Sequence, residues 1–155
     1  MTAAIDAERQ IIPIFTYGTL RPGQYNAKMV RSGVVQALDA TVKGFALYAN
    51  TSDSYPYLVK DETAETPVQG TLYLLDADGP AFTRADRMEL GAGYNREIVT
   101  VEVADKQGVK HAIDAVCWTW SRPEWLGTRI AEGDWIAYSA THLPSFFRAN
   151  SRNWK

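Results

Sequence analysis

The chain is poor in the residues that hold metals and disulfides. It has one cysteine, Cys117, and two histidines, His111 and His142. A single thiol cannot close an intramolecular bridge, and two distant histidines without CxxC or HxxxH spacing do not compose a zinc ligand set, so no metal or cofactor is expected. Long apolar runs are missing too. Nothing approaches the roughly 18 residues of a membrane span, and residues 1–10 carry two acids and no apolar signal-peptide core. These absences, with a lone thiol, lead us to expect a cytoplasmic protein with no membrane partner. An excess of one charge is also lacking: 16 Lys and Arg face 18 Asp and Glu, a formal net charge of -2. That balance provides no basic field for a nucleic acid, and none is expected as a partner.

What is present is the composition of a compact domain, 155 residues with 46% hydrophobic and 22% charged side chains. The whole chain, 1–155, reads as one domain with its core over about residues 11–140 and an extension at each end. β-Rich runs are expected at 11–17, 34–40, 41–49, 55–59, 68–75, 94–103 and 109–120. The last two flank Asp105-Lys-Gln-Gly108, a four-residue hairpin turn. Pro13 suits an early or edge position in the first strand, and Gly70 a close backbone approach in a later one. Residues 26–32 predict a short helix with Asn26 as cap and Gly33 as stop. Residues 79–90 predict the strongest helix, with Asp78 as N-cap, Pro80 in the first turn and Gly91 as terminator. Residues 121–155 carry no clear pattern, and their closing stretch has Arg148, Arg152 and Lys155 without an acid, a basic tail expected to be solvated. About six strands, one good helix and one or two weaker ones predict an α+β domain with a strongly curved or closed mixed sheet and a helix covering one side.

One carboxylate breaks the pattern. At about 100° per residue, Ala81, Phe82, Ala85 and Met88 share an arc of the strong helix, and Glu89 falls inside that arc while Arg84 and Arg87 point away. An acid there is costly unless it is paired or its pKa rises, and a raised pKa is what a general base near neutral pH requires. Pairing with Arg96, or a swing into solvent at the helix end, are the structural alternatives. A second feature is Tyr17-Gly18-Thr19-Leu20-Arg21 directly after a strand, where a glycine lets backbone N–H groups turn toward an anion. Cys117 suits a small core residue, His111 a hairpin surface residue and His142 a loop residue.

In order along the chain, Tyr17-Gly18-Thr19-Leu20-Arg21-Pro22-Gly23, Val42-Lys-Gly44-Phe45-Ala-Leu47-Tyr48, Tyr55-Pro56, Val68-Gln-Gly70-Thr71-Leu72-Tyr73 and Asp86-Arg-Met-Glu89 with Tyr94-Asn-Arg96 resemble the γ-glutamylcyclotransferase-like (AIG2-like) family. The resemblance implies a small mixed β-barrel with helices packed around it and an enzyme that releases 5-oxoproline and a free amine from a γ-glutamyl amide. It implies Glu89 as the proton-shuttling acid, the backbone of Tyr17, Gly18, Thr19 and Leu20 as the glutamyl holder, and Tyr94 as a further substrate ligand. The implied partner is a small γ-glutamyl molecule, with the leaving amine and the oligomeric state left open. One departure stands out: relatives often carry tyrosine on the strand matching residues 115–120, where this chain has Cys117-Trp118-Thr119-Trp120. Indole donates one hydrogen bond and accepts none, so a changed leaving group, or a non-catalytic small-molecule or protein-binding module on the same barrel, is the alternative.

Overall fold

A computed structural model describes residues 10–142. The described residues form eight strands: β1 (Ile11–Thr16), β2 (Val34–Val42), β3 (Phe45–Asn50), β4 (Pro56–Lys60), β5 (Val68–Asp76), β6 (Asn95–Ala104), β7 (Lys110–Thr119) and β8 (Leu126–Arg129). Two α-helices, α1 (Ala81–Gly91) and α2 (Trp135–His142), and two single 3₁₀ turns, Ala27–Met29 and Arg31–Gly33, accompany them. Five strands close into a barrel in the order β1-β5-β2-β6-β7, and the remaining three form a sheet in the order β4-β3-β8. Barrel closure is through a parallel contact of Ile14 with Val116, while the other barrel pairs are antiparallel. The expected α+β mixed barrel is therefore what the chain forms.

The core follows the strand periodicity. Ile14, Phe15, Leu72, Leu75, Val101 and Cys117 are buried in one cluster, and truncating such a leucine to alanine typically costs about 2–5 kcal/mol. Gly70 meets the expectation of close approach, since a Cβ there would sit 2.4 Å from both the Phe15 ring and the Thr16 carbonyl oxygen. The β6–β7 hairpin turns where expected: the Asp105 Oδ1 accepts the N–H groups of Gln107 and Val109. His111 is exposed on that hairpin and bonds Asp105.

Several local expectations are corrected. The break between β2 and β3 falls at Lys43-Gly44, where Gly44 takes φ 81°, and not after Ala40. Residues 26–32 form two 3₁₀ turns in place of a helix, because the Asn26 side chain donates to Thr19 Oγ1 instead of capping. Gly33 serves packing: a Cβ there would lie 2.6 Å from that of Ala81 on α1. Asp78 does not cap α1, whose N-cap residue is Pro80; the Asp78 N–H is engaged by Asp76 Oδ1. The region without a clear pattern contains β8 and α2, and α2 starts where Asp134 Oδ1 accepts the N–H groups of Ile136 and Ala137. His142 ends that helix, stacked on Tyr138, and is not a loop residue. The basic tail with Arg148, Arg152 and Lys155 lies outside the described residues.

Candidate active site

Helix α1 docks by the arc its sequence prescribes. Ala81 and Ala85 are buried, Phe82 and Met88 are half-buried against the core, and Arg84 and Arg87 are exposed. Glu89 is half-buried on the same side. Burial alone pushes its carboxyl up to about 7, because a low-polarity surrounding disfavours the charged form. Among the described residues no hydrogen bond or ion pair reaches the Glu89 carboxylate. Arg96, the partner considered from the sequence, pairs with Asp86 instead.

The end of α1 brings Glu89 and Tyr94 together. Gly93 adopts φ 104°, its N–H donates to the Leu90 carbonyl, and the Tyr94 N–H donates back to the Glu89 carbonyl at 3.1 Å. This is the Schellman closure of a helix, in which the left-handed residue is glycine and the residue after it folds back over the last turn. Gly91 was the expected terminator; the helix runs through Gly91 and closes at Gly93. Tyr94 is buried, its hydroxyl donating to the Pro56 carbonyl at 2.8 Å and its ring edge-on to Trp120.

The loop after β1 is pinned by its carbonyl groups. Gly18 C=O accepts from the Arg21 N–H and Thr19 C=O from the Asn26 N–H, while Leu20 C=O accepts the Tyr73 hydroxyl at 2.7 Å. Arg21, nearly buried, donates to Thr71 and pairs with Asp134, and the Tyr17 hydroxyl donates to the Trp118 carbonyl at 2.6 Å. Among the described residues, none accepts a hydrogen bond from the N–H groups of Tyr17, Gly18, Thr19 or Leu20. Gly18 is required by space, since a Cβ would lie 2.5 Å from Pro56 Cγ.

Loop and helix end meet around two neighbouring hollows. A small crevice of about 30 Å³ is walled by residues 15–20 with Tyr55, Pro56, Glu89, Tyr94 and Trp118, and a larger cleft of about 390 Å³ is walled by Tyr25, Met88, Ala92 and Trp135 among others. Thr19, Tyr55, Glu89 and Tyr94 border both. All the residues singled out from the sequence thus converge on one place. Tyr55, Pro56, Met88, Tyr25 and Trp135 were not assigned to it. Only the Tyr55-Pro56 pair had a sequence signal, and Trp135 lies in the stretch without a clear pattern.

The tryptophans on β7 and beyond it do different work. Trp118 borders the small crevice but spends its Nε1–H on Asp86 Oδ1 at 2.9 Å, so it offers the crevice a ring face and no donor. Trp120 stacks on Tyr57 with ring centroids 4.1 Å apart, and its buried Nε1 has no partner among the described residues. Cys117 is fully buried, and burial raises its thiol well above the ordinary range, as fits a core residue.

A closed five-stranded mixed barrel with two helices is a fold with solved members. A family model described as gamma-glutamyl cyclotransferase, AIG2-like, matches residues 14–137, and the chain belongs to that family. Solved structures with this fold include an uncharacterised protein, PH0828, from Pyrococcus horikoshii, 28% identical over 84% of this chain and 95% of that one, with a TM-score of 0.57. An AIG2-like protein from Mus musculus is 24% identical over 77% of this chain and 86% of its own, with a TM-score of 0.58. A structure titled gamma-glutamyl cyclotransferase is 13% identical over 92% and 87%, with a TM-score of 0.54. Among curated proteins none matches. No helix of the described residues is long and apolar enough to cross a membrane.

Proposed function

We propose that the protein is a γ-glutamylcyclotransferase acting on a small γ-glutamyl amide, with Glu89 as its general acid and base. The observation that carries this reading is the unpaired Glu89 carboxyl, pushed up to about 7, on the wall shared by crevice and cleft. In the reaction the substrate α-ammonium gives a proton to Glu89, and the freed amine attacks its own γ-carbonyl carbon. A new C–N bond closes the five-membered ring, the original amide C–N bond breaks as Glu89 returns its proton to the departing amine, and the second proton left on the ring nitrogen passes by way of Glu89 to that amine, which leaves as an ammonium ion. Substrate atoms divide between 5-oxoproline and the amine, and no water is consumed. Nucleophile and electrophile share one molecule, so orientation replaces an enzyme nucleophile.

The open N–H groups of residues 17–20 supply the second requirement. They suit either the α-carboxylate or the oxyanion that develops on the γ-carbonyl, both of which need fixed donors. Tyr94 contributes a wall beside Glu89, with its hydroxyl already committed to Pro56. The reading requires neither metal nor cofactor. A panel of γ-glutamyl amides assayed for 5-oxoproline tests it: turnover of at least one amide is expected, and silence across alkyl, aryl, amino-acid and peptide amides refutes it. A binding module that keeps the same barrel is the second reading. It is favoured by the commitment of Trp118 Nε1 to Asp86, which leaves no side-chain donor where relatives often have tyrosine.

A further inference from the structure

One helix is bonded to both loops that wall the site, and the two bonds leave it from the same side. Asp134, just before α2, and Tyr138, within it, are four residues apart, a spacing that makes their side chains neighbours, and the Tyr138 N–H donates to the Asp134 carbonyl. Asp134 Oδ1 pairs with Arg21 Nη1 at 3.4 Å, and Arg21 belongs to the loop after β1. The Tyr138 hydroxyl donates to Asp53 Oδ1 at 2.7 Å, and Asp53 precedes Ser54 and Tyr55 on the wall of the larger cleft. Trp135, on the first turn, is fully buried and borders that cleft.

The Arg21 end is the more demanding of the two. Its side chain is only 11% exposed. Burial disfavours its charge, and the carboxylates of Asp134 and Asp39 offset that loss. The guanidinium is anchored at two points, Nε on Thr71 Oγ1 of β5 at 3.2 Å and Nη1 on Asp134, which fixes the orientation of a planar fork. The backbone N–H of the same residue closes the turn on the Gly18 carbonyl at 3.0 Å, so an anchored Arg21 side chain anchors the turn that carries the N–H groups of Thr19 and Leu20. Donors fixed in advance are what a bound carboxylate or a developing oxyanion needs, and a misplacement of about 1 Å can cost about a hundredfold. The Asp134 oxygen that holds Arg21 also accepts the N–H groups of Ile136 and Ala137, at 3.0 and 3.4 Å. A single atom therefore caps α2 and secures the loop.

Resting on the reading that residues 17–20 hold the γ-glutamyl group, we infer that Asp134 is a positioning residue: through Arg21 it makes α2 a brace for that loop, although it borders neither hollow. The test separates the two duties of the oxygen. Asp134→Ser keeps a good cap for α2 but is too short to reach Arg21. Arg21→Met keeps the length of the side chain without its charge, a change that buried ion-pair positions tolerate when packing is retained, and it answers the same questions if Asp134→Ser does not fold. Hydrogen exchange at the Arg21 and Asn26 amides, which donate to the Gly18 and Thr19 carbonyls, is expected to speed up at least about tenfold in Asp134→Ser relative to the amides of β5. Unchanged relative exchange overturns the inference. With an amide that the wild type turns over, each single variant is expected to raise KM at least about fivefold while kcat stays within about threefold, the mark of lost substrate holding. The double variant should be no worse than the more impaired single one, because both remove one interaction. Effects that multiply, or a kcat loss at unchanged KM, assign Asp134 to helix stability alone and overturn the inference. Loosened exchange in a protein that turns over no amide supports the brace and overturns the cyclotransferase reading.

Discussion

Asp86 and Glu89 stand three residues apart on α1, yet one is held by partners from two directions and the other by none among the described residues. Asp86 accepts the Trp118 indole N–H and pairs with Arg96, so its charge is distributed over a network that ties the helix to β6 and β7. Through the Trp118 carbonyl the same network reaches the Tyr17 hydroxyl and the loop after β1. Glu89, one turn further on, borders the hollow with no counter-charge among the described residues, and burial lifts its carboxyl to about 7. The contrast teaches that burial by itself does not make an acid useful. A half-buried acid with partners fastens the helix, and its neighbour, with none among the described residues, is the one proposed to carry a proton.

The comparison is broken most severely by removing the unpartnered acid. Glu89→Gln is expected to fold and to lose at least about a hundredfold in 5-oxoproline formation, the lower range of a positioned general acid and base; unchanged turnover would remove Glu89 from the mechanism. The same variant sharpens the comparison through stability. Because the folded state raises the Glu89 pKa from 4.5 to about 7, it binds that proton more tightly than the unfolded chain does, and stability falls as pH rises through this window. Glutamine has no such dependence. Wild type should therefore lose stability relative to Glu89→Gln between pH 4 and pH 8, by up to about 3 kcal/mol at 1.36 kcal/mol per unit, measured by urea unfolding at each pH.

Removing the partnered acid should have the opposite character. Asp86→Ala leaves the Trp118 N–H and Arg96 without their acceptor and is expected to destabilise the fold by about 1–3 kcal/mol, with a denaturation midpoint shift as the readout. The smallest effect is expected at Tyr94→Phe, which deletes the hydroxyl bond to Pro56 while keeping the ring against Trp120. A loss of about 1 kcal/mol follows, and activity close to wild type would confine Tyr94 to shaping the wall.

Much of this contrast was legible before any coordinates. Helical phase separated Glu89 from Arg84 and Arg87, and the β-rich runs with a hairpin turn at residues 105–108 pointed to a curved or closed mixed sheet, which the family resemblance made a barrel. What phase does not encode is partnering. Arg96 lies near both acids in sequence, and only the strand register sets it on Asp86. Asn26 has the chemistry of a helix cap, but the loop after β1 offers its side chain a different acceptor in Thr19. The real helix terminator, Gly93, was hidden behind Gly91 because either glycine satisfies the pattern, and the left-handed φ that decides between them is a property of the closed turn. The larger cleft left no local signal, because its walls come from segments as distant as Tyr25, Tyr55, Met88 and Trp135.

The most direct test of the central claim needs no substrate. Following the Glu89 side-chain carboxyl carbon by NMR across pH 3 to 9 in the folded protein, with Glu89→Gln to assign the signal, reads the protonation of this one group. A midpoint near 7 is predicted for an unpartnered, desolvated acid. A midpoint at the ordinary glutamate value, near 4.3, would mean that Glu89 is solvated or paired, and the account of it as the proton carrier would fail.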